Sequence, residues 1–241
     1  MSASASDQTQ MRLARLRVLL WIGGIGAALA AIGGVFGFGD GSIWKLPRVL
    51  QSHVEAALGA AGMPGLEVDM QGQTAVLTGV VGNTSSRALA SHLALTAAGP
   101  GGAWAGGVTS ADTRGVSVGQ IERPFSWSVS RQGRQVTLSG VAPSIEARRT
   151  LHAIAIATFP NAVPADTMRV AGGAPSAHWR DAAADAIRAL APFENAEVHF
   201  DDENITFTVQ GSQAAIANLR QHYQTPPAAF NARIDVTETM P

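Results

Sequence analysis

The stretch FSWSVSRQGRQVTLSGVA, Phe125–Ala142, decides how this chain is read. Phe125, Trp127 and Val129 alternate with Ser126, Ser128 and Ser130. A period of two is a strand with one apolar and one wet face. Gln132-Gly133 interrupts the run, and Gly133 supplies the positive φ of a tight hairpin. Val136 and Leu138 resume the alternation, Gly140 closes the second strand, and Ser144 is placed to cap a helix over Ile145–Thr158.

The same design occurs upstream as LEVDMQGQTAVLTGV, Leu66–Val80, with Gly72 and Gly79 about 61 residues before Gly133 and Gly140. Downstream it reads AEVHFDDENITFTVQG, Ala196–Gly211, with Asp202 in the turn position. Three copies spaced by roughly 60–70 residues are an internal repeat, so the fold is read by repeat unit. Apolar residues make up 46% of the 241, but aromatics only 6%. Cores of Ala, Val and Leu bury little area per residue, so neighbouring units are expected to share one. The formal net charge of −1 leaves no electrostatic footprint for nucleic acid. With no cysteine, disulfides and thiolate metal sites are excluded.

Residues 1–17 are polar, then basic at Arg12, Arg15 and Arg17, and read as a disordered cytoplasmic tail. Residues 18–38, VLLWIGGIGAALAAIGGVFGF, are uncharged. As a helix they span about 31 Å, the thickness of a bilayer's hydrocarbon core. Trp21 and Trp44 stand near its two ends. The preceding arginines put the N-terminus in the cytoplasm and the repeats in the periplasm, an inner-membrane topology. The competing reading is a cleaved signal peptide, with Ala28-Leu29-Ala30 as its processing site. Within the span Gly26, Ala30 and Gly34 recur every four residues, overlapped by Gly33 and Gly37. Such a flat ridge admits close packing with a transmembrane partner or a second copy.

Beyond the linker Asp40–Ser42, a helix is expected at Pro47–Ala61 and another at Ser85–Ala98, with a strand in Val108–Val118. The first unit, 47–119, is thus α-β-β-α-β. The second, 120–173, has no room for a leading helix and ends in a strand near Thr167–Ala171. The third, 174–241, has helices at Ser176–Leu190 and Gln213–Gln224 and a last strand at Ala232–Thr237. The predicted fold class is α+β: one transmembrane helix followed by three αββαβ modules, the second lacking its first helix.

AVLTGV at Ala75–Val80 and VTLSGV at Val136–Val141 give these units the V-x-L-x-G-x-V signature, and the chain resembles the BON domain family. That family is named for bacterial osmotically inducible and nodulation proteins. The resemblance covers residues 47–241; the third unit departs from it, with Val209 where the glycine would be. Tandem repeats of this kind are also similar to the N-terminal half of some OmpA-like envelope proteins. The resemblance implies an exported, non-enzymatic envelope protein that binds a phospholipid surface or a partner protein. An accessory subunit of a membrane complex, docked through the Gly/Ala ridge, is the alternative.

No chemistry competes with that reading. The six histidines show no metal-ligand spacing. Asp201-Asp202-Glu203 is turn chemistry, and the glycines of Gly99–Gly107 lack the Lys-Ser/Thr of a phosphate loop. No catalytic residue, cofactor or metal is expected. Arg114, Arg169 and Arg233 each fall near the start of a unit's last strand. They are candidates for contact with anionic headgroups or a partner, against the simpler reading of arginines on a wet strand face. Arg131, Arg134, Arg148 and Arg149 make the second unit the most basic and join that candidate set.

Overall fold

The computed structural model describes residues 46–97 and 107–236. The expected tail, the expected transmembrane helix 18–38 and its ridge of Gly26, Ala30, Gly33, Gly34 and Gly37 lie outside those residues. Among the described residues no helix is long and apolar enough to cross a membrane. The longest, α1 (Leu46–Ala60), has 15 residues and carries Arg48 and Glu55; at 1.5 Å per residue it is about 22 Å long. The predicted fold class is corrected accordingly: the chain is mixed α/β, and a membrane-spanning helix at its head is not supported.

Two compact units divide at Val49/Leu50, and only Leu46–Val49 of the first are described. In the second unit, β1 (Glu67–Gln71) and β2 (Thr74–Val81) form an antiparallel hairpin; α2 (Thr84–Thr96) follows, and β3 (Ser110–Val118) returns parallel to β2. Next come β4 (Ser126–Gln132), β5 (Gln135–Ala142), α3 (Ile145–Thr158) and the short β6 (Ala165–Asp166) and β7 (Arg169–Val170). Again the hairpin is antiparallel and the returning strands are parallel to its second strand. Finally α4 (Trp179–Ala189), β8 (Asn195–Asp201), β9 (Asn204–Gln210), α5 (Gln213–His222) and β10 (Asn231–Val236) repeat that order.

Local chemistry sets these elements. The hairpin turns use Gly72 at φ 65°, Gly133 at φ 60° and Asp202 at φ 50°. Each helix after a hairpin is capped by a side chain accepting a backbone N–H: Asn83 from Ser86 at 2.7 Å, Ser144 from Ala147 at 3.0 Å and Ser212 from Ala215 at 3.3 Å. Asp202 also reaches across the sheet, its Oδ1 accepting the Phe125 N–H at 2.8 Å.

β1–β3 form a three-stranded sheet, but β4 pairs with β8, and this joins the remaining strands into one seven-stranded sheet. That pairing is antiparallel and runs without a break from Ser126↔Asp201 to Gln132↔Asn195. One hydrophobic cluster extends along it from Phe125 to Phe230. Its centre is a group of edge-on rings: Trp179 lies 5.3 Å from Phe125 and 5.7 Å from Trp127, and Phe200 lies 5.3 Å from Trp127. Three helices supply the rest through Leu151 and Ala155, Ala183 and Ile187, and Ile216 and Leu219.

The other face of this sheet is polar. Its register aligns Ser139, Ser128, His199, Thr206 and Arg233 in one row, and Thr137, Ser130, Glu197, Thr208 and Asp235 in the next. All of these are exposed or half-buried.

Gly140 faces Trp127 across the hairpin at φ 91°, and a Cβ there would lie 2.8 Å from the Trp127 Cα. Gly133 has a similar sign of φ but open space around it. Gly140→Ala is therefore expected to cost about 3 kcal/mol or more in urea unfolding, against about 1 kcal/mol for Gly133→Ala. Equal losses would show that the close approach at Gly140 is not what holds the hairpin.

Candidate functional site

The candidate arginines separate into two kinds by what holds them. Arg114 bonds Asp112 two residues before it, and Nη2 reaches Oδ2 at 2.6 Å. This holds the Asp112 carboxyl down at about 2, chiefly through the hydrogen bonds from Arg114. Arg169 pairs with Glu122, whose carboxyl is likewise lowered by that contact. Arg148 pairs with Asp166 at 2.9 Å, and Arg233 with Asp235 at 2.9 Å. All four guanidinium groups thus carry a neutralising carboxylate. Arg149 is exposed on α3. The structure does not gather Arg114, Arg169 and Arg233 into a row: Arg114 lies on the three-stranded sheet, while Arg233 and Arg169 lie on β10 and β7 at opposite ends of the larger one.

Arg131 and Arg134, on either side of the β4–β5 turn, are brought together and are held differently. Arg131 donates from Nε to the Gly133 carbonyl at 3.1 Å and from Nη1 to the Ala191 carbonyl at 2.9 Å. Its guanidinium also lies 5.0 Å from the centroid of the Phe159 ring. Arg134 donates from Nε to the Asn161 carbonyl at 3.1 Å. Among the described residues neither forms an ion pair. Between them is a cleft of about 200 Å³ walled by Pro160, Ala162 and Ala191. The turn is clamped in place by the Gly133 N–H, which donates to the Glu194 carbonyl at 2.7 Å. A second hollow, of about 290 Å³, runs from Arg131 across Gln132, Asn195 and Gln210 on the polar face.

The repeat glycines Gly72, Gly79, Gly133 and Gly140 shape this framework. Gly72 and Gly133 turn hairpins; Gly79 (φ 144°) and Gly140 admit a close neighbour, with Leu66 Cδ2 at 2.9 Å from a Cβ at Gly79.

Two clusters had no signal in the sequence because their members are far apart along it. Asp185 Oδ2 accepts from the Tyr223 hydroxyl at 2.7 Å and lies 2.9 Å from His222 Nε2, tying α4 to α5. Burial, then the Asp185 carboxylate, pushes the Tyr223 phenol up. Where the three-stranded sheet meets the larger body, Arg180 Nη1 donates to Glu67 Oε2 at 2.9 Å, and His178 Nε2 lies 3.5 Å from Glu55. The other Glu67 oxygen is buried without a protein partner. Beside this joint, Gly65 packs against Ala174.

No family model matches the chain, and no curated protein matches it. Among solved structures, that of the PrgH periplasmic domain aligns with 76% of this chain and 100% of its own, at 12% identity and a TM-score of 0.20. A likeness at that score carries no argument about fold or function.

Desolvation raises the Glu67 carboxyl above its usual 4.5; Arg180 pulls the other way, and Asp181 and Glu146 push it up. A raised folded-state value means the folded protein holds the proton more tightly. Its contribution is fully present below 4.5 and is lost as pH rises through the raised value. Glu67→Gln is therefore expected to gain stability relative to the parent between pH 4 and 7, read as a widening gap in urea midpoint. A constant gap would contradict this. Tyr223→Phe, which removes a donor to a carboxylate, is expected to cost about 2 kcal/mol in the same assay.

Proposed function

We propose that this chain is a non-enzymatic binding protein of the bacterial cell envelope, exported to the periplasm. Its BON-like repeats hold an envelope partner protein. The observation that carries the reading is the β4–β8 junction. It turns two thin units into one rigid sheet with helices on one side and a polar surface several strands wide on the other. Side chains on such a sheet are positioned by the backbone register, so a partner meets a pre-formed surface and little is lost in ordering it.

Binding to a phospholipid surface is the second reading, and the basic residues bear on it. Arg114, Arg148, Arg169 and Arg233 already have carboxylate partners. A neutralised arginine contributes little of the roughly 1 kcal/mol that a free one gains near an anionic bilayer. The bare polar face, with Glu197 and Asp235 on it, favours a protein.

Photo-crosslinking residues placed at Thr137 and Thr206, on that face, test the reading in intact cells. The expected result is a discrete protein adduct at one or both positions. Adducts to lipid alone would favour the second reading, and no adduct at either position would remove the face from consideration.

A further inference from the structure

We propose that the cleft between Arg131 and Arg134 binds a carboxylate presented by an extended acidic segment of a partner protein. This rests on the reading of the chain as a protein-binding module and names the chemistry of one contact.

The argument begins with charge. Arg114, Arg148, Arg169, Arg180 and Arg233 all face a carboxylate. Arg131 and Arg134 face carbonyl oxygens instead. A carbonyl orients a guanidinium without cancelling its charge. Two unneutralised cations are thus fixed on either side of one cleft, with much of their side-chain entropy already lost on folding.

Donor capacity points the same way. Arg134 uses Nε on Asn161 and Arg131 uses Nε and Nη1 on Gly133 and Ala191. Arg134 Nη1 and Nη2 and Arg131 Nη2 remain for a ligand. Planar guanidinium groups match planar oxyanions, and each bond formed would be charge-assisted. A volume of about 200 Å³ holds a carboxylate with its methylene stem, whose apolar part would meet Pro160 and Ala162.

The surroundings select a peptide. Gln135, Gln132, Asn195 and Gln210 lie in register across the neighbouring strand ends, and Asn195 Nδ2 donates to Gln210 Oε1 at 3.2 Å. Side-chain amides carry both donor and acceptor and so complement a peptide backbone. The hollow over Gln132, Asn195 and Gln210 opens at Arg131. Arg131 follows the alternation of Trp127 and Val129 and its guanidinium lies on the helix side over Phe159, so a chain lying across the amides reaches the cleft by passing over the hairpin tip at Gly133. An anionic bilayer would instead meet the neutral amides and exposed Glu197 together with the arginines, in a protein of net charge −1.

The test is fluorescence polarisation of a labelled oligo-glutamate peptide against the full chain at low salt, with oligo-lysine as control. Binding of oligo-glutamate alone is expected. Arg134→Gln should weaken it at least about tenfold, and Arg134→Lys should restore only part of the loss. Arg149→Gln, which removes an exposed charge on α3, should leave binding unchanged. Arg134 is exposed, so its substitution tests the site without threatening the fold, as an unchanged urea midpoint would show. No peptide binding, equal binding by Arg134→Gln, or arginine-dependent binding only to phosphatidylglycerol vesicles would each overturn the proposal. Protein adducts on the polar face that persist in Arg134→Gln would leave the module reading standing while this cleft fell.

Discussion

Backbone hydrogen bonds between β4 and β8 set the plan of the molecule. Each of these strands begins a hairpin, and alone each would present an unpaired edge to solvent. Paired antiparallel along seven residues, they remove both edges at once and bring Trp127 alongside Phe200, with Trp179 packed over them. The aromatic cluster is therefore a product of the junction: Phe125 and Trp127 come from one unit, and Trp179, Phe200 and Phe230 from the next. A unit with few aromatics has too little apolar surface for a deep core of its own, and pooling it across a shared sheet resolves that shortage.

The junction also organises the polar surface. Pairing two hairpins doubles the width of the flat face and places their serines and threonines in common rows. It brings Ala191 and Glu194, in the connection between α4 and β8, to the tip of the β4–β5 turn. There their carbonyls hold Arg131 and Gly133. The positioning of Arg131 and of the turn at Gly133 thus depends on the same strand pairing as the core, while Arg134 is held by Asn161 within its own unit. What sets that tip apart among the described residues is that its two arginines are held by backbone carbonyls, whereas Arg114, Arg148, Arg169, Arg180 and Arg233 are held by carboxylates.

Much of the local structure was legible before any coordinates. The alternation in Phe125–Leu138 marked two strands because side chains in a strand alternate faces, and the same residues are buried. Gly72, Gly133 and Asp202 marked turns because each tolerates positive φ. Ser144 marked a helix start, since a short polar side chain satisfies a free N–H group there. The site was much less legible. Seven arginines looked alike as candidates, and only their partners distinguish them: Glu122 for Arg169 and Asp166 for Arg148, against the Ala191 and Asn161 carbonyls for Arg131 and Arg134.

Over the described residues, then, the sequence by itself determined where most strands, turns and helices fall, because those depend on periodicity and on the chemistry of a few adjacent residues; the membrane-spanning helix it suggested ahead of them is not supported. The tertiary structure alone decided that β4 lies beside β8, that Glu67 meets Arg180, and which arginines keep an uncancelled charge. The physical reason is range. A strand's pattern says which face is apolar but leaves its edge partner open, since backbone hydrogen bonds are common to every strand. An ion pair depends on folded distances that spacing along the chain does not encode.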